Sequence, residues 1–196
     1  MNADIASFRK AERERLIAAR LAIPAEVRAA HTAKIAAALD QLLGAATDEI
    51  VSVYWPIRGE PDLRLWMRAA CGRGLTIALP VAVALGRPLT FRPWHPGTVM
   101  ARGLWQIPHP AEGPELTPTT LLAPLVGFDA ACYRLGYGGG FFDRTLAAIR
   151  SQTASRTRAR VIGVGYRALE IPTIHPQPHD VPMDVILTEE APRVRT

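Results

Sequence analysis

The sequence predicts an α/β fold: a single three-layer domain with helices on both faces of a mostly parallel sheet. Three observations carry this. Apolar runs at residues 50–55 (IVSVYW) and 75–80 (LTIALP) bracket a stretch with helical patterning that stops at Gly72 and Gly74, and strand, helix, strand at this spacing makes a right-handed βαβ unit. Two further apolar runs, residues 121–126 and 161–166 (VIGVGY), lie either side of a second helical stretch near residues 144–150, and they read as buried strands. The chain of 196 residues is 48% hydrophobic and 21% charged, enough for one domain with a full core.

Residues 3–22 read as a helix. Arg9, Arg13 and Arg20 stand four and eleven residues apart, so at about 100° per residue they share one face. That face is either a solvated arginine stripe or a basic rail for phosphates. Residues 24–43 form a second helix, with Pro24 in the first turn and Gly44 as the stop. Its apolar stripe runs through Val27, His31, Ile35, Leu39 and Leu42, with His31 at the core edge. After the strand at 50–55, a turn leads into a helix over residues 61–71. Glu60 and Asp62 fall just past the first strand's carboxyl end, where open α/β sheets place their sites; both also suit a helix N-terminus.

Residues 81–94 look like a hairpin with GRP (86–88) at the turn and LTFRPW as the return strand. Residues 100–118 read as a proline-rich loop. Residues 151–160 (SQTASRTRAR) read as a polar, mobile connection, and 161–166 as a strand with a glycine at each close approach. A last strand covers 185–188. His175, His179 and Asp180 do not read as a zinc site, because the intervening prolines forbid the helix that would bring the histidines onto one face.

Composition narrows the function. The net charge is +5, carried by arginine except for Lys10 and Lys34, with no dense basic run interleaved with aromatics. A positive field that draws in polyanionic small molecules accounts for it without a nucleic-acid partner. No apolar run is long enough to span a membrane, and the first fifteen residues lack a signal peptide's apolar segment. Cys71 and Cys132 form no C-x-x-C pair and suit reduced thiols, so a cytoplasmic protein is expected. A monomer or weak homodimer is expected.

The chemistry concentrates in residues 128–144 (FDAACYRLGYGGGFFDR). Gly136, Gly138, Gly139 and Gly140 feed a helix, and glycines let the backbone approach a ligand closely. Amides at a helix start point at an anion, usually phosphate. The spacing is neither a Walker A loop nor the dinucleotide fingerprint. Arg134 before the loop and Asp143 in the first helical turn suit a phosphate with bound Mg²⁺.

These residues resemble the 5-formyltetrahydrofolate cyclo-ligases, or methenyltetrahydrofolate synthetases. That family's hallmark is FD-x-x-G-x-RLGYG-[K/G]-G-[YF]-[YF]-DR, which residues 128–144 follow at nearly every position. Weaker matches run from residue 9 to about 189: Arg9, Glu12 and Arg13 against K-x-x-L-R, Glu60 and Asp62 within G-E-x-D, Trp94 closing P-L-x-F-R-x-W, and His179, Asp180 and Asp184 within H-D-x-x-x-D. The resemblance implies a Rossmann-like arrangement and ATP-dependent closure of 5-formyltetrahydrofolate to 5,10-methenyltetrahydrofolate. It implies an ATP site of Arg9, Arg13, Arg134, Leu135, Gly136, Tyr137, Gly138, Gly139, Gly140, Phe141 and Phe142. A reduced-folate site would comprise Ile57, Glu60, Asp62, Trp94, Tyr137 and Phe141. Mg²⁺ would lie at Asp143 and Asp180, with Arg134 and Tyr137 catalytic.

Besides Arg9 for the lysine and Glu12 for the leucine of K-x-x-L-R, the chain departs from the family pattern at five places. Gln106 and His109 replace the glycine and glutamate of G-I-x-E-P, Cys132 replaces a glycine, Gly139 a frequent lysine and Leu169 a frequent glutamine. If that lysine donates to the transferring phosphate, its absence removes a contribution of about 3–4 kcal/mol. A divergent nucleotide-binding relative with another substrate, or a regulatory role, is the alternative; RNA binding by the basic surface is a third.

Overall fold

The computed structural model describes residues 2–44, 49–152 and 159–195. A seven-stranded sheet runs β11-β10-β9-β6-β1-β2-β3. Its strands are β1 (Ile50–Ser52), β2 (Thr76–Val81), β3 (Thr90–Trp94), β6 (Thr120–Pro124), β9 (Arg160–Val164), β10 (Val185–Leu187) and β11 (Arg193–Val194). The five inner strands are parallel, while β3 and β11 close the two edges antiparallel. From β1 the chain crosses to β2 through α3 (Arg64–Gly72), and from β6 it crosses the other way to β9 through α4 (Phe141–Gln152). Right-handed crossovers in opposite directions put those helices on opposite faces. The reversal leaves a crevice beyond the carboxyl ends of β1 and β6, where ligands bind in such sheets.

Helices α1 (Asn2–Ala22) and α2 (Ala25–Leu43) precede the sheet. In α2 the spacing of Ile35, Leu39 and Leu43 sends all three into the core. Asp40 on the same helix accepts hydrogen bonds from Trp66 Nε1 at 2.7 Å and Arg73 Nη2 at 2.6 Å, tying α2 to α3. In α1, Leu16 is buried on the face that also carries Arg9, Arg13 and Arg20. The arginine stripe thus turns inward, and is no solvated face.

The structure corrects the sequence reading in several places. Pro24 lies outside α2, at its N-cap. Helix α3 begins at Arg64, three residues later than expected. The proline-rich stretch 100–118 holds an antiparallel ribbon, β4 (Met100–Arg102) and β5 (Pro108–Pro110), joined through a short 3-10 turn at Leu104–Gln106. Prolines fit there because a two-stranded ribbon offers edge positions that need no donor. Inside the glycine-rich segment a two-residue hairpin pairs β7 (Gly127–Phe128) with β8 (Arg134–Leu135). The expected mobile connection, 151–160, falls mostly on residues outside those described.

Buried Asp129 organises that hairpin's turn. Its Oδ1 accepts from the amides of Ala131 and Tyr133, both at 3.1 Å, and its Oδ2 from Ile174 at 3.1 Å. Cys132 within the turn has φ +63, and Gln106 in the ribbon has φ +60. Both stand where the family pattern has glycine. A non-glycine residue in the left-handed region costs about 1–2 kcal/mol.

The glycines of β9 and its exit mark close approaches, as expected. A Cβ on Gly165 would lie 2.8 Å from Leu125 Cγ and nearer still to its Cδ1, in the packed core. Gly165→Ala is therefore expected to destabilise the fold by about 1–3 kcal/mol, read as a lowered Tm with no change in the ligand affinity of the folded protein.

Candidate active site

Beyond the carboxyl ends of β1, β2 and β6 opens a cavity of about 510 Å³, with Tyr54, Trp55, Pro80 and Pro124 on its floor. Other walls come from α1, the β4–β5 ribbon and the loop 136–140 that enters α4. The cavity has two chemically different regions.

The first is anion-binding in character. The amides of Gly138, Gly139 and Gly140 donate no hydrogen bond to any described residue. Gly138 (φ +92) and Gly140 (φ +64) take conformations that glycine adopts freely. Gly136 is needed for a different reason, since a Cβ there would lie 2.5 Å from Arg134 Nη1. Arg134 is buried and donates from Nη2 to Asp143 Oδ2 at 2.9 Å, while its buried Nε has no hydrogen-bond partner among the described residues. Burial pushes its pKa down and Asp143 and Asp180 pull it back, but a guanidinium stays charged throughout the working range. From α1, Arg13 Nε donates to the Gly136 carbonyl at 2.7 Å, and Arg9 Nη2 donates to Asp180 Oδ2 at 2.6 Å. Three loop amides and the guanidinium groups of Arg9, Arg13 and Arg134 thus line one region of the cavity.

The second region centres on Glu60, which is only 5% exposed. Its Oε2 accepts from the Ile57 amide at 2.9 Å and its Oε1 from the Tyr137 hydroxyl at 2.7 Å. Arg20, 1% exposed, donates from Nη2 to the same hydroxyl at 2.6 Å, and from Nε and Nη1 to the carbonyls of Arg58 and Leu125. Burial raises the Glu60 pKa, against the opposing pull of the Ile57 amide, Tyr137, Arg20 and Arg58. Burial and the neighbouring Glu60 push the Tyr137 phenol well above its usual value. Tyr137 therefore remains a protonated donor, and Glu60 is a carboxylate primed to accept hydrogen bonds.

Of the residues expected from sequence, Arg9, Arg13, Ile57, Glu60, Arg134, Gly136, Tyr137, Gly138, Gly139, Gly140, Phe141, Phe142, Asp143 and Asp180 all line this cavity. Three do not. The exposed Asp62 pairs with Arg64, its Oδ1 accepting from Nε at 2.8 Å at the start of α3. Trp94 is buried in the core, where its carbonyl meets Cys71 of α3. Leu135 is buried in β8 with its side chain in the core.

The lining residues that sequence did not single out include Trp55, Arg58, Leu104 and Trp105. Arg20, from the recognised arginine stripe, acts just behind the wall. Trp105 stands at the rim, 62% exposed, with its ring perpendicular to Phe141 at 5.3 Å. A large exposed aromatic in a proline-rich stretch was the available signal. The Phe141 ring fills the space over Gly139, where an added Cβ would meet it at 2.9 Å. His109 also lines the cavity; its Nδ1 lies 3.0 Å from the Pro110 carbonyl, which places a proton on Nδ1.

Among the described residues no group of three or more His, Cys, Asp or Glu side chains could hold a metal ion. Asp143 and Asp180 each commit one oxygen to an arginine. One or two carboxylates completed by phosphates and water is how Mg²⁺ is usually held. The pair therefore fits a magnesium–nucleotide, and not an all-protein cage.

The 5-formyltetrahydrofolate cyclo-ligase family matches residues 6–189 of the sequence. This chain belongs to that family. A 5-formyltetrahydrofolate cyclo-ligase of Mycolicibacterium smegmatis is 33% identical over 146 residues, 70% of this chain and 72% of that protein. The 5,10-methenyltetrahydrofolate synthetase of Aquifex aeolicus superposes with a TM-score of 0.79 at 25% identity, over 95% of this chain and 92% of that one. A Mycoplasma pneumoniae 5,10-methenyltetrahydrofolate synthetase shares the fold, with a TM-score of 0.74 at 21% identity over 93% and 99% of the two chains. Cyclo-ligases are enzymes, and in this member the family's glycine-rich hallmark forms one wall of the cavity. Among the described residues no helix is long and apolar enough to cross a membrane.

Proposed function

We propose that the protein is an ATP-dependent 5-formyltetrahydrofolate cyclo-ligase, forming 5,10-methenyltetrahydrofolate, ADP and phosphate. The observation that carries this reading is the union, in one cavity, of an amide-rich loop ringed by arginines with a buried carboxylate. The first suits a nucleotide's phosphates. The second suits the ring N–H and amino donors of a pterin.

A formamide oxygen is a poor leaving group until it is phosphorylated. In the proposed reaction that oxygen attacks the γ-phosphorus and ADP departs. N10 then attacks the activated carbon and gives up its proton to the departing phosphate, which leaves with the former formyl oxygen, and the ring closes. For phosphoryl transfer a protein mainly positions groups and offsets charge. Gly138, Gly139 and Gly140 would donate to phosphate oxygens, with Arg13 and Arg134 offsetting their charge. Asp143 and Asp180 would hold Mg²⁺, which when bound neutralises phosphate charge. Glu60 and Tyr137 would fix the pterin, while Trp105 and Phe141 would keep water from the activated formyl carbon. Cytoplasmic, monomeric or weakly dimeric operation without nucleic acid belongs to the same reading.

The test is a spectrophotometric assay for the methenyl product with and without ATP; ATP-independent formation, or none, refutes the proposal. Glu60→Gln is expected to raise KM for the folate at least about tenfold, with KM for ATP little changed. Pterin affinity of the unaltered protein is expected to fall on acidification, with a midpoint above the usual Glu value of 4.5 because burial raises the folded pKa. Calorimetry across that range checks it, and Glu60→Gln should abolish the step. For stability the sign is the reverse of a salt-bridged carboxylate's: the fold binds this proton more tightly than the unfolded chain, so ionising Glu60 costs stability as pH rises through the folded value.

His109 in place of the pattern's glutamate favours a second reading, a nucleotide-binding relative with another substrate. Calorimetry separates the two, since the cyclo-ligase must bind both ATP and 5-formyltetrahydrofolate.

A further inference from the structure

Five arginines on or just behind the cavity wall are not equivalent. Arg9 is paired with Asp180 and Arg134 with Asp143. Arg20 spends its donors on two carbonyls and the Tyr137 hydroxyl. Arg13 commits Nε to the glycine loop and leaves Nη1 beside that loop, 3.6 Å from where a Cβ on Gly138 would lie. Arg58 differs from all four. Its guanidinium makes no hydrogen bond and no ion pair with any described residue. Its side chain is exposed, and it lies over the face of Tyr137, 5.6 Å from the ring centroid.

Its backbone is fixed all the same. Arg58 has φ +47, and its carbonyl accepts from buried Arg20 at 2.9 Å. The Tyr137 ring beneath it is pinned by its hydroxyl to Glu60 and Arg20. The result is an uncommitted cation set on an ordered aromatic face, next to the carboxylate that suits a pterin. The cationic wall is thus divided between the phosphate loop, served by Arg13, and the Glu60 region, served by Arg58.

We propose that Arg58 binds the carboxylates of the substrate's glutamate tail. This rests on the folate reading above and names the part of the substrate that Arg58 recognises. A reduced folate carries donors on its pterin and carboxylates on its glutamate, so it brings a second anion into a cavity that already receives phosphates. Arg58 is the guanidinium beside the pterin region with all its donors available. Exposure at the rim leaves room for a tail that continues into solvent. Exposure also keeps the interaction modest, since a solvated ion pair is weaker than a buried one.

The experiment is calorimetric titration of the full chain and of Arg58→Gln with two ligands, 5-formyltetrahydrofolate and the same compound without its glutamate. The unaltered protein should bind the glutamyl ligand about five- to tenfold more tightly than the tail-free one, with the preference shrinking as salt is raised. Arg58→Gln should erase that preference and leave the tail-free affinity within about twofold. Arg58→Lys should restore part of it. Equal weakening of both ligands would mean that Arg58 acts through Tyr137 and Glu60, and would overturn the proposal. So would an unchanged preference. If the unaltered protein binds neither ligand, the folate reading itself fails and this inference falls with it. An unshifted Tm for Arg58→Gln excludes misfolding as the cause.

Discussion

Arg134→Ala is expected to lower kcat by about 10²–10³-fold or more, the usual loss when one preorganised donor to a developing charge is removed. Two contacts make the effect large. The side chain holds Asp143 by a 2.9 Å ion pair, and its unpartnered Nε is the kind of buried donor that a ligand satisfies. Arg134→Lys should recover little, because an ammonium cannot serve two directions from one planar fork. Its packing over the Phe142 ring, at 5.1 Å, is also specific to a flat cation. The measurement is steady-state kinetics beside a melting curve. Near-normal turnover in a folded variant would remove Arg134 from the phosphate site and leave its role structural.

Arg20→Leu is expected to have the largest effect on stability, about 3–5 kcal/mol. The variant would strand the Leu125 and Arg58 carbonyls and take the cation away from buried Glu60 and the Tyr137 hydroxyl bonded to it. For a chain of this size the expected fall in Tm is about 6–20 °C. Losing a nearby positive charge should also move the Glu60 pKa further up, so the acid limb of pterin binding should shift to higher pH. The double variant Arg20→Leu with Glu60→Leu should regain part of the stability, because it leaves no uncompensated carboxylate. Additive losses would show that Arg20 acts through its carbonyl contacts alone.

The fold class was legible because its signals are local. Short apolar runs bounded by glycine and proline mark the inner strands, and the stripe through Ile35 and Leu39 marks a helix face. The antiparallel edges β3 and β11 differ in this respect. Strand β3 showed itself through its turn, whereas β11 is two residues long and carries no pattern. The β4–β5 ribbon was hidden by its prolines, which read as loop in any local window. Within the cavity, the glycine loop and its flanking Arg134 and Asp143 lie within ten residues of one another, so spacing alone brought them to notice. Asp62 and Trp94 illustrate the converse. Each sits in a stretch matching the family pattern, yet Asp62 turns to Arg64 and Trp94 into the core.

Local pattern was enough to foresee the parallel sheet, the inward arginine face of α1 as one of two possibilities, and the glycine-rich turn. Each depends on residues that are neighbours along the chain or around one helix. How the arginines are divided emerged from the packing alone: which are spent on Asp180, Asp143 and buried carbonyls, and which keep free donors among the described residues. Most of those partners lie more than a hundred residues from α1, and burial, which sets the cost of leaving any of them unpaired, exists only once the sheet has brought them together.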